Sequence, residues 1–145
     1  MRFVLGSDEA RPVVDHIAAR LREKGHDVRT IAIGAWGAVA IDVAKAVASG
    51  DVDQGIVCCW TGTGVSIAAN KVPGVRAALC YDYASAVNSR EHNDANVLTL
   101  GARVLSERHI IEVVASFLAA QFAGGRHQRR LDKISELDQE PKHTA

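Results

Sequence analysis

The chain has 145 residues, 48% of them hydrophobic and 23% charged, a size and balance that fit one soluble globular domain and exclude a disordered or fibrous chain. Its formal net charge is zero, so no global field draws it to nucleic acid or to an anionic membrane. No apolar run reaches the roughly 18 residues of a membrane span, and the opening Met1-Arg2-Phe3-Val4-Leu5-Gly6 is broken by Asp8-Glu9 too soon for a signal peptide.

In chain order, Phe3-Val4-Leu5 predicts a first strand ending at Gly6-Ser7-Asp8. Val13, Val14, Ile17, Ala18 and Leu21 recur at helical spacing, with Pro12 in the first turn and Gly25 as the stop. Asp27 to Ile33 alternates like a second strand, and Gly34-Ala35-Trp36-Gly37 follows as a loop. Val39, Val43 and Val47 form the stripe of a helix from Val39 to Ser49. Gly55 to Trp60 is a continuous apolar run suited to a strand buried on both faces. Val65 to Asn70 is a short helix, Val75 to Cys80 a fourth strand, Tyr83 to Arg90 a helix, and Asn96 to Gly101 a fifth strand. Ser106 caps a long apolar helix running through Ile110, Val114, Phe117 and Leu118 to Phe122. Gly124-Gly125 breaks it, a charged helix runs from Arg126 to about Gln139, and the tail from about residue 140 to 145 is expected to fray.

Strands that alternate with helices predict an α/β fold with a parallel sheet covered on both faces. Right-handed crossovers favour a doubly wound, Rossmann-like sheet of five strands in the order 2-1-3-4-5, with a C-terminal helix. Ligands of such sheets sit beyond the carboxyl ends of the strands. Asp8, Cys59, Thr61, Tyr81, Asp82 and Arg103 should emerge there.

The richest stretch is Gln54 to Lys71. Thr61-Gly62-Thr63-Gly64 joins a strand to a helix start, so backbone N–H groups gather around one point and attract negative charge. It is neither a G-x-G-x-x-G fingerprint nor a P-loop. Cys59 sits on the lip of that loop, either as a small buried hydrophobe or as a functional thiol. Cys58 and Cys59 point to opposite faces of their strand and make no metal pair, and three cysteines form no disulfide framework. That pattern suits a reducing cytoplasm. His92, within Arg90-Glu91-His92-Asn93-Asp94, is expected near the ligand edge, where it could serve as an acid or base instead of a surface residue. Arg126 and Arg130 lie four apart on one helical face, as a solvated basic face or as two fingers on a phosphate. Asp8-Glu9 could cap the first helix or bind sugar hydroxyls.

Taken together, these blocks resemble the type B ribose-5-phosphate isomerases and their galactose-6-phosphate and allose-6-phosphate relatives. The resemblance runs from Gly6-Ser7-Asp8 through Cys59-x-Thr61-Gly62-x-Gly64-x-Ser66-Ile67-Ala68-Ala69-Asn70-Lys71, Arg90 to Asp94 and Gly101-Ala102-Arg103 to Gly125-Arg126-His127-x-x-Arg130. It implies a flavodoxin-like fold, a homodimer or tetramer with shared active sites, and aldose–ketose isomerisation of a small phosphorylated sugar without metal or cofactor. By position, Cys59 is similar to the family's base and Thr61 to its hydroxyl relay. Backbone N–H groups of Gly62, Thr63, Gly64, Val65 and Ser66 match the enediolate hole, and His92, with Asp8 near it, the group that opens the sugar ring. Arg126 and Arg130, with Arg103 and His127, match the phosphate clamp. Glu9, Tyr81 and Asn93 are the remaining expected substrate contacts. Some relatives carry a glutamate base in the loop; Val65 stands there in this chain, which leaves the role to Cys59.

Three departures accompany the resemblance. The family usually has Asp-His where this chain has Asp8-Glu9, a longer loop where it has Gly34 to Ala40, and Gly where it has Trp60. All three fall at the sugar end, so tetrose and hexose phosphates stand beside ribose 5-phosphate as substrates. A non-catalytic sugar-phosphate-binding subunit, or a general phosphate- or nucleotide-binding module, is the alternative of another class.

Overall fold

The computed structural model describes residues 1–141. Five strands, β1 (Arg2–Ser7), β2 (Asp27–Thr30), β3 (Gln54–Cys59), β4 (Ala77–Leu79) and β5 (Val97–Gly101), alternate with helices α1 (Pro12–Glu23), α2 (Trp36–Ala48), α3 (Thr63–Ala69), α4 (Tyr83–Glu91) and α5 (Glu107–Ala119); α6 (Arg126–Gln139) closes the chain. Of the tail expected to fray, residues 142–145 lie outside the described residues.

All strand pairs are parallel, as a doubly wound sheet requires. The order is β2-β1-β3-β5-β4 and not 2-1-3-4-5. Burial explains the exchange. Every residue of β5 is buried, so it belongs inside the sheet, whereas β4 is three residues long with none fully buried, as an edge strand should be. The run from Val75 to Cys80 reads as a full strand, yet only its middle pairs.

The sheet separates two cores. Phe3, Leu5, Ile56, Cys58, Leu98 and Leu100 pack against Ile17, Leu21, Ile110 and Phe117 of α1 and α5. Val4, Val57, Cys59 and Val97 pack with Val39, Val43 and Val65 of α2 and α3 on the other face. The alternation of strand side chains therefore sends Cys58 and Cys59 into different layers, as their adjacency predicts.

Ends are set by local chemistry. Ser106 Oγ accepts from His109 N–H at 3.1 Å and starts α5. Asp82 and Ser85 form a reciprocal capping box on α4. Three bounds differ from expectation by three residues: β2 stops at Thr30, α2 begins at Trp36, and α5 ends at Ala119, leaving Phe122 outside it. The α5 residues fully buried are Ile110, Val113, Val114 and Phe117, one stripe facing the sheet.

At the β4 margin, the Asn70 side chain substitutes for a missing strand. Its Nδ2 donates to Ala77 O at 3.0 Å, and its Oδ1 accepts from Ala77 N–H at 2.8 Å. Nearby, α6 is tied down at both ends. Ala123 N–H donates to Glu91 O at 3.0 Å just before it, and Gly74 N–H donates to Asp138 Oδ2 at 2.8 Å. No helix among the described residues is long and apolar enough to cross a membrane.

Candidate active site

Cys59 ends β3, with 5% of its surface exposed, and the turn behind it folds back on its sulfur. Gly62 N–H donates to Cys59 Sγ at 3.2 Å, and Thr63 N–H to Thr61 Oγ1 at 3.3 Å. Charge on the sulfur would therefore meet an N–H dipole. Ser66 N–H is spent on Gly62 O at 3.2 Å, the first bond into α3. Gly64 and Val65 N–H have no backbone partner among the described residues; Val65 is fully buried, so Gly64, only partly buried, is the donor placed for an outside oxygen. Trp36 packs its indole against Gly64.

Two glycines make this turn possible. Gly62 has φ +82°, the left-handed region that glycine enters without strain. Gly101, opposite Cys59 in the register, lets the β5 loop close on the turn: Ala102 N–H donates to Cys59 O at 2.8 Å and Arg103 N–H to Trp60 O at 3.0 Å. A Cβ at Gly101 would lie 2.5 Å from Thr61 O, a backbone atom with no freedom to yield. Gly101→Ala should cost about 1–3 kcal/mol of stability, read as a lowered urea midpoint. An unchanged midpoint would show that the loops are not locked this way.

Other thiols are remote from this chemistry. Cys58 is fully buried, and burial pushes its thiol up to about 12. Burial also raises the thiol of Cys80.

A charged cluster sits beside the turn. Arg11, whose side chain is only 9% exposed, holds Asp8 Oδ1 at 3.1 Å and Glu9 Oε2 at 3.4 Å. The same Oε2 accepts from Arg103 Nη2 at 3.2 Å. The Arg103 guanidinium in turn lies 4.1 Å from the centroid of the Trp60 ring. A hollow of about 270 Å³ lined by Glu9, Arg11 and Arg103 opens next to this cluster. Tyr81 stands exposed beyond β4, on the same sheet end. A larger hollow, about 660 Å³, lies instead between α1 and α5 around His16 and Glu107 and is not lined by Cys59. Sequence reasoning missed Arg11; its charge three residues after Asp8 was the available signal.

The remaining expected residues fall elsewhere. His92 is the C-cap of α4, and Asn93 follows it. Because α4 runs back against its strand, its C-terminus returns to the amino end of the sheet, not to the ligand edge where His92 was expected. There the rings of His92 and His127 stack, centroids 4.6 Å apart and 17° between planes. Arg126 and Arg130 share α6 with His127. Burial holds the His127 pKa below its ordinary value, and the charges of His92, Arg126 and Arg130 push the same way. Cys59 pairs in register with Gly101, the last residue of β5, while His92 precedes its first, Val97. The four residue steps from Val97 to Gly101 alone span ~13 Å. Within one chain the thiol and the histidine–arginine cluster occupy opposite ends of the sheet.

Comparison with known proteins follows the same outline. A model of the family described as Ribose/Galactose Isomerase matches residues 3–134. The ribose-5-phosphate isomerase B of Escherichia coli K12 is 42% identical over 146 aligned positions, covering 95% of this chain and 97% of the relative. A D-erythrulose-4-phosphate isomerase of Pectobacterium atrosepticum is 35% identical over 150 positions, covering 99% of each. The structure of ribose-5-phosphate isomerase B from Mycoplasma genitalium with bound ribulose-5-phosphate superposes with a TM-score of 0.92 at 37% identity, covering 97% of each chain. With residues 3–134 matched by the family model and at least 95% of the chain covered by these relatives, the chain belongs to the ribose/galactose isomerase family.

Proposed function

We propose that the chain is a sugar-phosphate isomerase that interconverts an aldose and a ketose through a cis-enediolate, with ribose 5-phosphate and ribulose 5-phosphate or a close analogue as the pair. The observation that carries this reading is the gathering of Cys59 Sγ, Thr61 Oγ1 and the unpaired N–H of Gly64 on one turn. Cys59 takes the proton from C2 of the open-chain aldose. The electron pair moves to the carbonyl oxygen on C1, where preorganised N–H donors stabilise the negative charge. Thr61 relays a proton between the two oxygens, and Cys59 returns its proton to C1. No electrons leave the sugar.

The ring oxygen of a furanose is bonded to C1, a reacting carbon, so the group that opens the ring must act within a few ångströms of the base. His92 lies at the other end of its own sheet. A second copy, presenting His92, Asn93, Arg126, His127 and Arg130 to the Cys59 turn, supplies what one chain lacks; the active form is therefore a homodimer with shared sites. Exposed Trp36, Trp60, Ile67 and Tyr81 give such a contact apolar surface. Three free cysteines fit work in the cytoplasm.

A second substrate reading has an observation of its own. The tetrose-phosphate relative matches over nearly the full length, and Glu9 and Trp60 both stand at the sugar end. Glu9 Oε1 remains open to a sugar hydroxyl. Aldose and ketose phosphates of four to six carbons should be tested for interconversion. Turnover of none would leave only a binding role. Arg126→Ala and Arg130→Ala should each raise KM for the best substrate, and lower kcat where phosphate binding also orients the reacting carbons. If both variants matched the parent, the clamp would lie elsewhere.

A further inference from the structure

We propose that Glu9, Arg11 and Trp60 are positioning residues that fix the guanidinium of Arg103 at the mouth of the Cys59 turn before any anion arrives. This rests on the reading of the site as one for a phosphorylated sugar. Three contacts define the device. Arg103 gives one N–H to Glu9 Oε2 at 3.2 Å, and its guanidinium carbon sits over the Trp60 ring, 4.1 Å from the centroid. Its backbone N–H is held by Trp60 O at 3.0 Å. The Arg103 and Glu9 side chains are about half exposed, 47% and 48%, and left alone each would sample many rotamers. Arg11 prevents that at the far end. It is nearly buried, its Nε has no partner, and its Nη2 grips Asp8 and Glu9 together. The order of support thus runs from the buried Arg11 to Glu9, then to Arg103 and Trp60.

A guanidinium has five N–H donors in a rigid plane. Glu9 takes one and Trp60 covers one face, so the others remain for a phosphate oxygen. The neighbouring carboxylate also offsets part of the Arg103 charge. Arg103 therefore gains geometric selectivity at the expense of raw attraction. The charged partner and the aromatic face act on one side chain, so neither should matter once that side chain is gone.

The test is titration with inorganic phosphate, which needs no turnover. Glu9→Gln and Trp60→Leu, both at exposed positions, should each weaken phosphate binding about 2- to 12-fold, the cost of re-ordering one long side chain. Arg103→Ala should weaken it at least as much. Each double variant with Arg103→Ala should be no weaker than Arg103→Ala alone. KM for the sugar phosphate should rise in the same order, which a merely structural role would not produce. Tighter phosphate binding in Glu9→Gln would overturn the proposal, because Glu9 would then be competing with the anion. Additive losses in the double variants would overturn it too. A parent that isomerises no sugar phosphate yet shows this coupling would remove the proposed reaction and leave the positioning set standing.

Discussion

Cys59→Ala should lower kcat by about 10²–10⁴-fold while substrate still binds nearly as it does to the parent. Neither the neighbouring thiol nor the turn itself offers a substitute. Cys58 faces the opposite layer with its thiol pushed up to about 12. Val65, at the loop position where some relatives carry a glutamate, has nothing to ionise. Thr61 offers only a hydroxyl. The variant also strips Gly62 N–H of its acceptor, 3.2 Å away, and an unpaired buried donor costs about 1–3 kcal/mol. Cys59→Ser separates the two effects. Its oxygen can keep the acceptor, so stability should largely return while kcat stays low. Turnover within a few-fold of the parent in either variant would remove Cys59 as the base.

Mixing two dead variants should restore activity. On the proposed reading, Cys59→Ala lacks the base and His92→Asn lacks the ring-opening group. If each site combines the turn of one chain with the α4–α6 end of another, a mixed dimer has one site with both groups intact. Statistical exchange of subunits in a two-fold dimer then predicts roughly a quarter of the parent activity. The measurement is turnover after the two variants are unfolded together and refolded, against each refolded alone. The recovered rate should also fall on dilution below the dimer's dissociation constant. No recovery, with mixed dimers demonstrated by mass, would mean that each chain works alone. That result would require a rearrangement carrying His92 from one end of the sheet to the other.

Most of the architecture was legible because burial leaves a periodic trace. The Val39-Val43-Val47 stripe, the double-sided run before Cys59 and the Ser106 cap all appear where the sequence puts them. The order of β4 and β5 was not legible. Both segments are apolar, both crossovers can be right-handed, and only the burial of every β5 residue shows which is central. At the site, Cys59, Thr61 and the glycine turn could be found because they are contiguous. The place of His92 depends on which way α4 returns, which no local pattern of residues carries. Glu9 was read as part of a cap on the first helix or as an acceptor of sugar hydroxyl bonds. Its two arginine partners come from α1's N-cap and from the β5 loop, 94 positions away, a pairing that no local pattern carries.

The Asn70 amide on Ala77 has a consequence for assembly and solubility. A sheet edge is an open template, and strands of other molecules add to it wherever a residue offers both N–H and C=O outward. Here that residue is already occupied, by a side chain from the same molecule. Growth of the sheet by strand addition is terminated on this side. At this edge, copies of the chain must then meet through helices and loops, and not by running one sheet into the next. Under mild denaturation, the first step toward fibrils at this edge would be the release of one asparagine, which makes Asn70→Ala a variant to watch for turbidity even where its turnover is normal.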